Sequence, residues 1–295
     1  MVASRCAFLQ SLRWFGLIAF AAVALVSCGP IANKPAVQAS AYDRAKDAFK
    51  NGEFARALDL TDKLATATPP ADGTDRARVL RAVIYTGELK CAGELAEAYS
   101  KGADNAKSPR FRSEYQRLHH DNLQAAAQAA LNLAETAHQI APVGVMANEL
   151  TLDASYPTTE GPPELKELAL VEEGGWLEPD QQESTSADAL RKGIDDALAD
   201  AVSGDRAKAR QALAGGSTQL DGAAFAIFLT KELADGASVF DRHHARDPQK
   251  LITLCDEGEL SLKAAEALLK DTPNKEEQRE AKKLQEKFTA IRKNR

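Results

Sequence analysis

The chain has 295 residues, of which 44% are hydrophobic and 27% are charged, and its net charge at neutral pH is −6. This composition is typical of a folded protein, and its mild acidity disfavours binding to a nucleic-acid backbone, which requires basic patches. Aromatic residues make up only 6% of the chain, and runs of alternating polar and apolar residues are scarce. Helices that pack through small side chains are therefore expected, and a sheet is not.

The N-terminal segment has the layout of a secretory signal. Two arginines, Arg5 and Arg13, precede an apolar run over residues 14–26, which is too short to span a bilayer. The run ends in Leu25-Val26-Ser27-Cys28, which resembles the lipobox of bacterial lipoproteins. The resemblance implies cleavage between Ser27 and Cys28 and a diacylglycerol on the Cys28 sulfur. A cleaved signal of the soluble type and a retained short anchor are the alternatives.

Residues 41–69 have the pattern of a helical hairpin. Apolar positions recur at helical spacing on both sides of a glycine turn, and a double proline ends the second arm. The segment resembles a tetratricopeptide repeat, whose unit is two antiparallel helices in about 34 residues. The residues that match the family's pattern are Ala45, Gly52, Phe54, Ala57 and Pro69, whereas Ala41 and Thr61 stand where aromatic side chains are common.

The turn motif of this hairpin occurs at two further places. Residues 86–92 align with residues 51–57, and residues 203–209 form a third copy. A single copy is also explained by a common helix–turn–helix, but three copies favour a repeat array. The repeat-packing residues that the second and third copies add are Gly87, Ala92, Gly204 and Ala209. The predicted fold class is all-α, and the resemblance implies a right-handed α-solenoid built from helical hairpins.

Longer helices are predicted outside these motifs. Ser108-Pro109 has the pattern of a helix start, and the helix that follows runs to about Ile140 with two apolar stripes. Two stripes indicate that this helix packs against neighbours on both sides. Further helices are expected over 225–233, 248–269 and 276–293, and the last one is charged enough to cap an array.

Residues 141–187 do not fit the repeat pattern. They contain one basic and ten acidic residues, and only residues 164–173 have a helical pattern. Trp176 is the one tryptophan outside the signal segment. Two interpretations stay open: an ordered lid that Trp176 anchors in the groove of the array, or a disordered connector.

The predicted organisation has five parts. They are a signal peptide (1–27), a flexible tether (28–40), N-terminal helical repeats (41–140), an acidic insertion (141–187) and C-terminal helices with a capping helix (188–295).

No enzymatic, cofactor or metal site is predicted. The His119-His120 and His243-His244 pairs consist of neighbours, which point in different directions on a helix and chelate one ion poorly. The Asp195-Asp196 pair is expected on a solvated helix face. Cys91 and Cys255 either form a disulfide or remain separate buried thiols, and separate thiols are favoured.

These patterns predict a membrane-anchored lipoprotein of the cell envelope that acts as a scaffold or adaptor. We expect a monomer with a lipid anchor, in the outer membrane facing the periplasm, that binds another envelope protein through a helical groove. The alternative is solute handling, because the overall form resembles the lipoprotein component associated with tripartite periplasmic transporters. Neighbouring genes for a solute-binding protein and a permease would distinguish the two.

Overall fold

The computed structural model describes residues 40–67, 70, 73–146, 150–157, 161–242, 248–271 and 273–293, and over these residues the chain is all-α apart from two short strands. The lipobox, Pro69 and the His243-His244 pair lie outside the described residues. The elements in order are α1 (Ala41–Lys50), α2 (Phe54–Ala65), α3 (Thr74–Asn105), α4 (Pro109–Ile140), α5 (Val143–Met146), β1 (Leu150–Leu152), α6 (Lys166–Glu172), α7 (Pro179–Val202), α8 (Arg206–Ala212), β2 (Thr218–Leu220), α9 (Gly222–Arg242), α10 (Pro248–Asp271) and α11 (Lys275–Lys293).

The first two helices form the predicted hairpin. Ser40 caps α1, since its Oγ accepts a hydrogen bond of 3.0 Å from the backbone N–H of Asp43. Gly52 makes the turn with a φ of 76°, a backbone conformation that glycine adopts without strain. Phe54 opens α2 and its ring meets the Phe49 ring edge-on at 5.4 Å, which closes the hairpin.

The predicted second turn is wrong. Gly87 and Ala92 lie inside α3, a continuous helix of 32 residues, and both are buried. A glycine inside a helix costs only about 1 kcal/mol, so a turn motif flanked by good helix formers does not have to break the helix. The predicted long helix is confirmed as α4, which has the same length as α3 and begins at Pro109. Together α3 and α4 form a hairpin that would be about 48 Å long at the usual helical rise.

Close packing against α7 explains why a glycine stands at position 87 of α3. It faces α7, where a Cβ on Gly87 would lie 2.9 Å from the Cα of Ile194. A Cβ on Gly193 would in turn collide with the carbonyl oxygen of Gly87. Glycines on both helices therefore let the two backbones touch, and α7 packs on α3 although about 100 residues separate them in the chain.

The C-terminal half stacks on the α3–α4 hairpin. Helix α9 packs against α4, α10 and α11, and α10 also contacts α4, so that α4 has α3, α9 and α10 as neighbours. The third turn motif is confirmed: Gly204 has a φ of 70° between α7 and α8, and Ala209 is fully buried. The charged helix α11 buries one apolar stripe, formed by Ala281, Leu284, Phe288 and Ile291.

The acidic insertion is more regular than expected. Strand β1 pairs antiparallel with β2, with Leu150 opposite Leu220, whereas the sequence indicated no sheet. Helix α7 begins at Pro179, inside the predicted insertion, because Glu178 and Gln181 form a capping box around a proline at the first helical position. The helical pattern over 164–173 is confirmed as α6.

The close contact between α3 and α7 yields a first prediction. Gly193→Ala should lower the free energy of unfolding by about 1–3 kcal/mol, because the added methyl group pushes the two helices apart. Denaturant titration followed by circular dichroism measures the change.

Gly93→Ala is the matched control. Gly93 lies in α3 with nothing within 4 Å of an added Cβ, so this change should raise stability by about 0.5–1 kcal/mol through helix propensity. Equal effects of the two substitutions would contradict the proposed close packing.

Candidate functional site

A short segment of the insertion docks onto the long hairpin and onto α7. We call residues 161–178 the α6 segment. Leu168 and Val171 are buried against α3, and Leu165 packs half-buried on the same cluster. These three positions follow helical spacing, so one face of α6 is apolar and its other face is exposed. The segment is therefore an ordered, amphipathic part of the fold.

Trp176 completes this docking. Its ring stacks on Phe111 at 4.9 Å with an interplanar angle of 15°, and it lies 5.7 Å from the Tyr115 ring. The Tyr115 hydroxyl donates a hydrogen bond to the carbonyl oxygen of Gly175. The tryptophan thus packs at the start of α4. It belongs to the segment for which the sequence left two interpretations open, an ordered lid and a disordered connector.

Backbone contacts fix the same segment to the end of α3. A Cβ on Gly102 would lie 2.6 Å from the carbonyl oxygen of Val171, so only a glycine permits this approach. The Asn105 side-chain amide donates a hydrogen bond of 2.7 Å to the carbonyl oxygen of Glu172. Lys101 binds the Glu172 carboxylate at 3.1 Å. These contacts satisfy the end of α6 and set its register on α3.

The docked segment belongs to a second hydrophobic cluster, apart from the main core. Leu190 is the side chain of α7 that packs against both clusters. We call this second cluster the satellite core. Its buried members are Cys91, Leu95, Ala98, Tyr99, Ala103, Ala106, Tyr115, Leu168, Val171, Leu177 and Ala189.

A cluster of charges, buried at Glu232 and partly exposed at Lys90 and Asp200, joins α3, α7 and α9. The Lys90 ammonium lies 2.9 Å from the Glu232 carboxylate and 3.0 Å from the Asp200 carboxylate. Glu232 is only 1% exposed. Burial raises the pKa of the Glu232 carboxyl, and the adjacent Lys90 opposes that shift. The pKa of Lys90 is raised in turn, because its two carboxylate partners outweigh the desolvation of the ammonium.

A second buried ion pair corrects an expectation. Asp195 was expected on a solvated face, but it is fully buried, and its carboxylate lies 2.8 Å from the Arg210 guanidinium. The same guanidinium stacks over the Tyr156 ring at 4.2 Å. Burial raises the pKa of Tyr156 to about 12, and the nearby Asp195 charge acts in the same direction. The pair ties α7 to α8 and to the chain after β1.

Glu88 is a partly buried carboxyl on α3. Desolvation raises its pKa to about 7, and no other cause contributes. The carboxyl therefore changes its charge close to neutral pH.

The structure also gives the positions of the remaining residues that the sequence analysis singled out. Phe54 and Ala57 are buried in the main core. Cys91 and Cys255 are both buried and are not joined in a disulfide, so the disulfide interpretation is not realised. His119 contacts the carbonyl oxygen of Ala96 through Nδ1 at 2.8 Å, and His120 contacts the Gln124 amide at 2.9 Å.

Two kinds of site are missing from the described part of the chain. Within it, no three His, Cys, Asp or Glu side chains come close enough to hold a metal ion. None of the helices described there combines the length and the apolar character of a membrane span.

Comparison with family models, with curated proteins and with solved structures finds no match for this chain.

The buried ion pairs yield a second prediction. Lys90→Met should cost about 3–5 kcal/mol of stability, because it leaves the Glu232 carboxylate buried without its cation. The double substitution Lys90→Met and Glu232→Leu should recover much of this loss, as it removes both charges. Thermal and denaturant unfolding measure both variants.

Lys283→Met serves as the control, since Lys283 pairs with Glu280 at the surface with 73% of its side chain exposed. The loss of this surface ion pair should lower the free energy of unfolding by less than about 1 kcal/mol. A comparable cost for Lys90 and Lys283 would show that the buried pair contributes no more than a surface pair.

Glu88 yields a third prediction. Its raised pKa means that the folded state binds this proton more tightly than the unfolded state does, so Glu88 lowers stability as the pH rises from about 4.5 to about 7. Glu88→Gln should reduce the loss of stability between pH 5 and pH 8. The exposed Glu97 of the same helix is the control, and Glu97→Gln should leave the pH profile unchanged. An identical profile for the wild type and Glu88→Gln would refute the assignment.

Proposed function

We propose that this protein is a lipoprotein of the cell envelope, anchored through lipid on Cys28, that serves as a scaffold or adaptor for another envelope protein. The observation that carries the proposal is the sequence Leu25-Val26-Ser27-Cys28 at the end of a short apolar run. Two or three acyl chains on the new N-terminus would hold the helical body stably at a membrane. We place it in the outer membrane, facing the periplasm.

The helical body supports the adaptor part of the proposal. Its buried charges are engaged with each other between helices, as in the contacts of Lys90 with Glu232 and of Arg210 with Asp195. These charges therefore contact each other inside the fold. The long helix α4, of whose 32 residues only nine are buried, offers an extended surface for a protein partner. We propose that the partner is a protein, that nucleic acid is not bound and that the adaptor itself is a monomer.

We further propose that part of the body is organised as helical repeats. The α1–α2 hairpin and the stack of α9, α10 and α11 support this proposal, because successive helices pack against one another there. The contact of α7 with α3 differs from a solenoid, in which each unit touches only its neighbours. The repeat character is therefore assigned to the two ends of the described chain.

Substitution of the lipobox cysteine tests the anchor. Labelled palmitate should be incorporated into the wild type, and Cys28→Ala should abolish the label, leave a larger unprocessed precursor and weaken membrane association. Cys91→Ala is the matched control, because Cys91 is a buried thiol outside the lipobox, and it should retain the label. A Cys28→Ala protein that still carries the label would refute the lipid anchor.

Cross-linking of the lipidated protein in its native envelope tests the adaptor role. We expect a defined envelope protein to be cross-linked, and the same contact to survive in the form that lacks residues 1–27. A solute-binding protein or a permease as the cross-linked species would favour the transporter alternative. Recovery of no protein, with a small solute retained on the purified chain, would refute the adaptor.

A further inference from the structure

We propose that the groove between α3, the start of α4 and the start of α7 is a binding site for an amphipathic helix of a partner protein, and that the α6 segment occupies it as an internal competitor. The inference deepens the proposed function, since an adaptor needs a surface for its partner. The proposed groove and the proposed lipid anchor rest on separate observations, so an experiment can refute either proposal without affecting the other.

The groove has an apolar floor that belongs to the satellite core. Leu95 and Tyr99 of α3, Tyr115 of α4 and Ala189 of α7 are all buried in the satellite core, which the α6 segment covers. The large cluster around α3, α4 and α9 contains no residue of the α6 segment. We therefore expect this cluster to remain when the segment leaves the groove.

The present occupant defines the kind of helix that fits. It places Leu165, Leu168 and Val171 at positions i, i+3 and i+6, and then turns at Gly174, which has a φ of 83°. The aromatic ring of Trp176 follows and stacks on Phe111. Recognition of this kind, by apolar anchors spaced along one helix face, is a general mode of helix binding in grooves.

The rim of the groove adds a charge requirement. The Lys101 ammonium lies 3.1 Å from the Glu172 carboxylate, and the Asn105 amide donates to the Glu172 carbonyl oxygen. A partner helix should therefore carry an acidic residue near its C-terminal end. Its opposite face meets solvent, as Glu167 and Leu170 do in the α6 segment, where Leu170 is 45% exposed.

The order of the occupant depends on its docking. Helix α6 has 7 residues, fewer than the roughly 12–15 that a helix needs to persist alone, so its order depends on docking. Its ion pair with Lys101 is half exposed on both sides and adds little. Because the segment is tethered, its effective concentration is in the millimolar range, and a partner must bind more tightly or be held nearby.

A peptide added in trans tests this competition. The host is the chain from residue 28 onward, either wild type or with Leu168→Ala and Val171→Ala, which weakens the internal competitor. The probe is a fluorescein-labelled peptide of residues 161–178 with Trp176→Phe. Anisotropy should show binding to the weakened host at least about tenfold tighter than to the wild type. Trp176 of the host should shift its emission to the red as its segment is released.

The controls make each outcome decisive. A peptide that also carries Leu168→Asp and Val171→Asp should not bind. Equal binding of the probe to both hosts, or binding to neither, would overturn the proposal, with circular dichroism confirming that each host is folded. Failure of lipid labelling at Cys28 would leave this result untouched, so the anchor and the groove are tested independently.

Hydrogen exchange of the wild type gives a second test, which needs no substituted host. Amides of α6 should exchange through an opening that leaves α3, α4 and α9 protected. Exchange of α6 only together with global unfolding would make the segment an integral part of the core and overturn the proposal.

Discussion

The contact between the backbones of α3 and α7 sets the arrangement of the other helices. Gly87 and Gly193 face each other so closely that a methyl group on either one would collide with the opposite helix. At this crossing the backbones of the two helices contact each other directly. This contact brings α7 back onto α3 across a long stretch of chain, and α9 then covers the remaining side of the α3–α4 hairpin.

The buried charges follow from this approach. Because α7 lies so close to α3, the Lys90 side chain reaches both Asp200 of α7 and Glu232 of α9 within 3.0 Å. A buried ion pair of this kind adds little net stability compared with apolar packing, but the loss of one partner leaves a desolvated charge. The network therefore penalises any arrangement in which α7 and α9 shift along α3. We infer that these charges specify the register of the three helices.

The sequence predicted the helices well and their connections less well. Periodicity and caps located the α1–α2 hairpin, the start of α4 and the apolar stripe of α11, since these signals are local. The turn at Gly87 was wrong because a glycine that permits a close helix crossing has the same local sequence as one that makes a turn. Only the position of α7, a long-range feature, distinguishes the two. The burial of Asp195 was missed for the same reason, since its cation, Arg210, lies on another helix.

Only part of the candidate groove could be predicted from the sequence. The pattern of Leu165, Leu168 and Val171 and the lone Trp176 indicated a segment able to dock, but nothing local showed where. The structure places it on a satellite core that meets the main core at Leu190 of α7. The same helix carries Gly193 one turn further on, at the contact with α3. Whatever occupies the groove therefore packs within one helix turn of the glycine that brings α7 against α3.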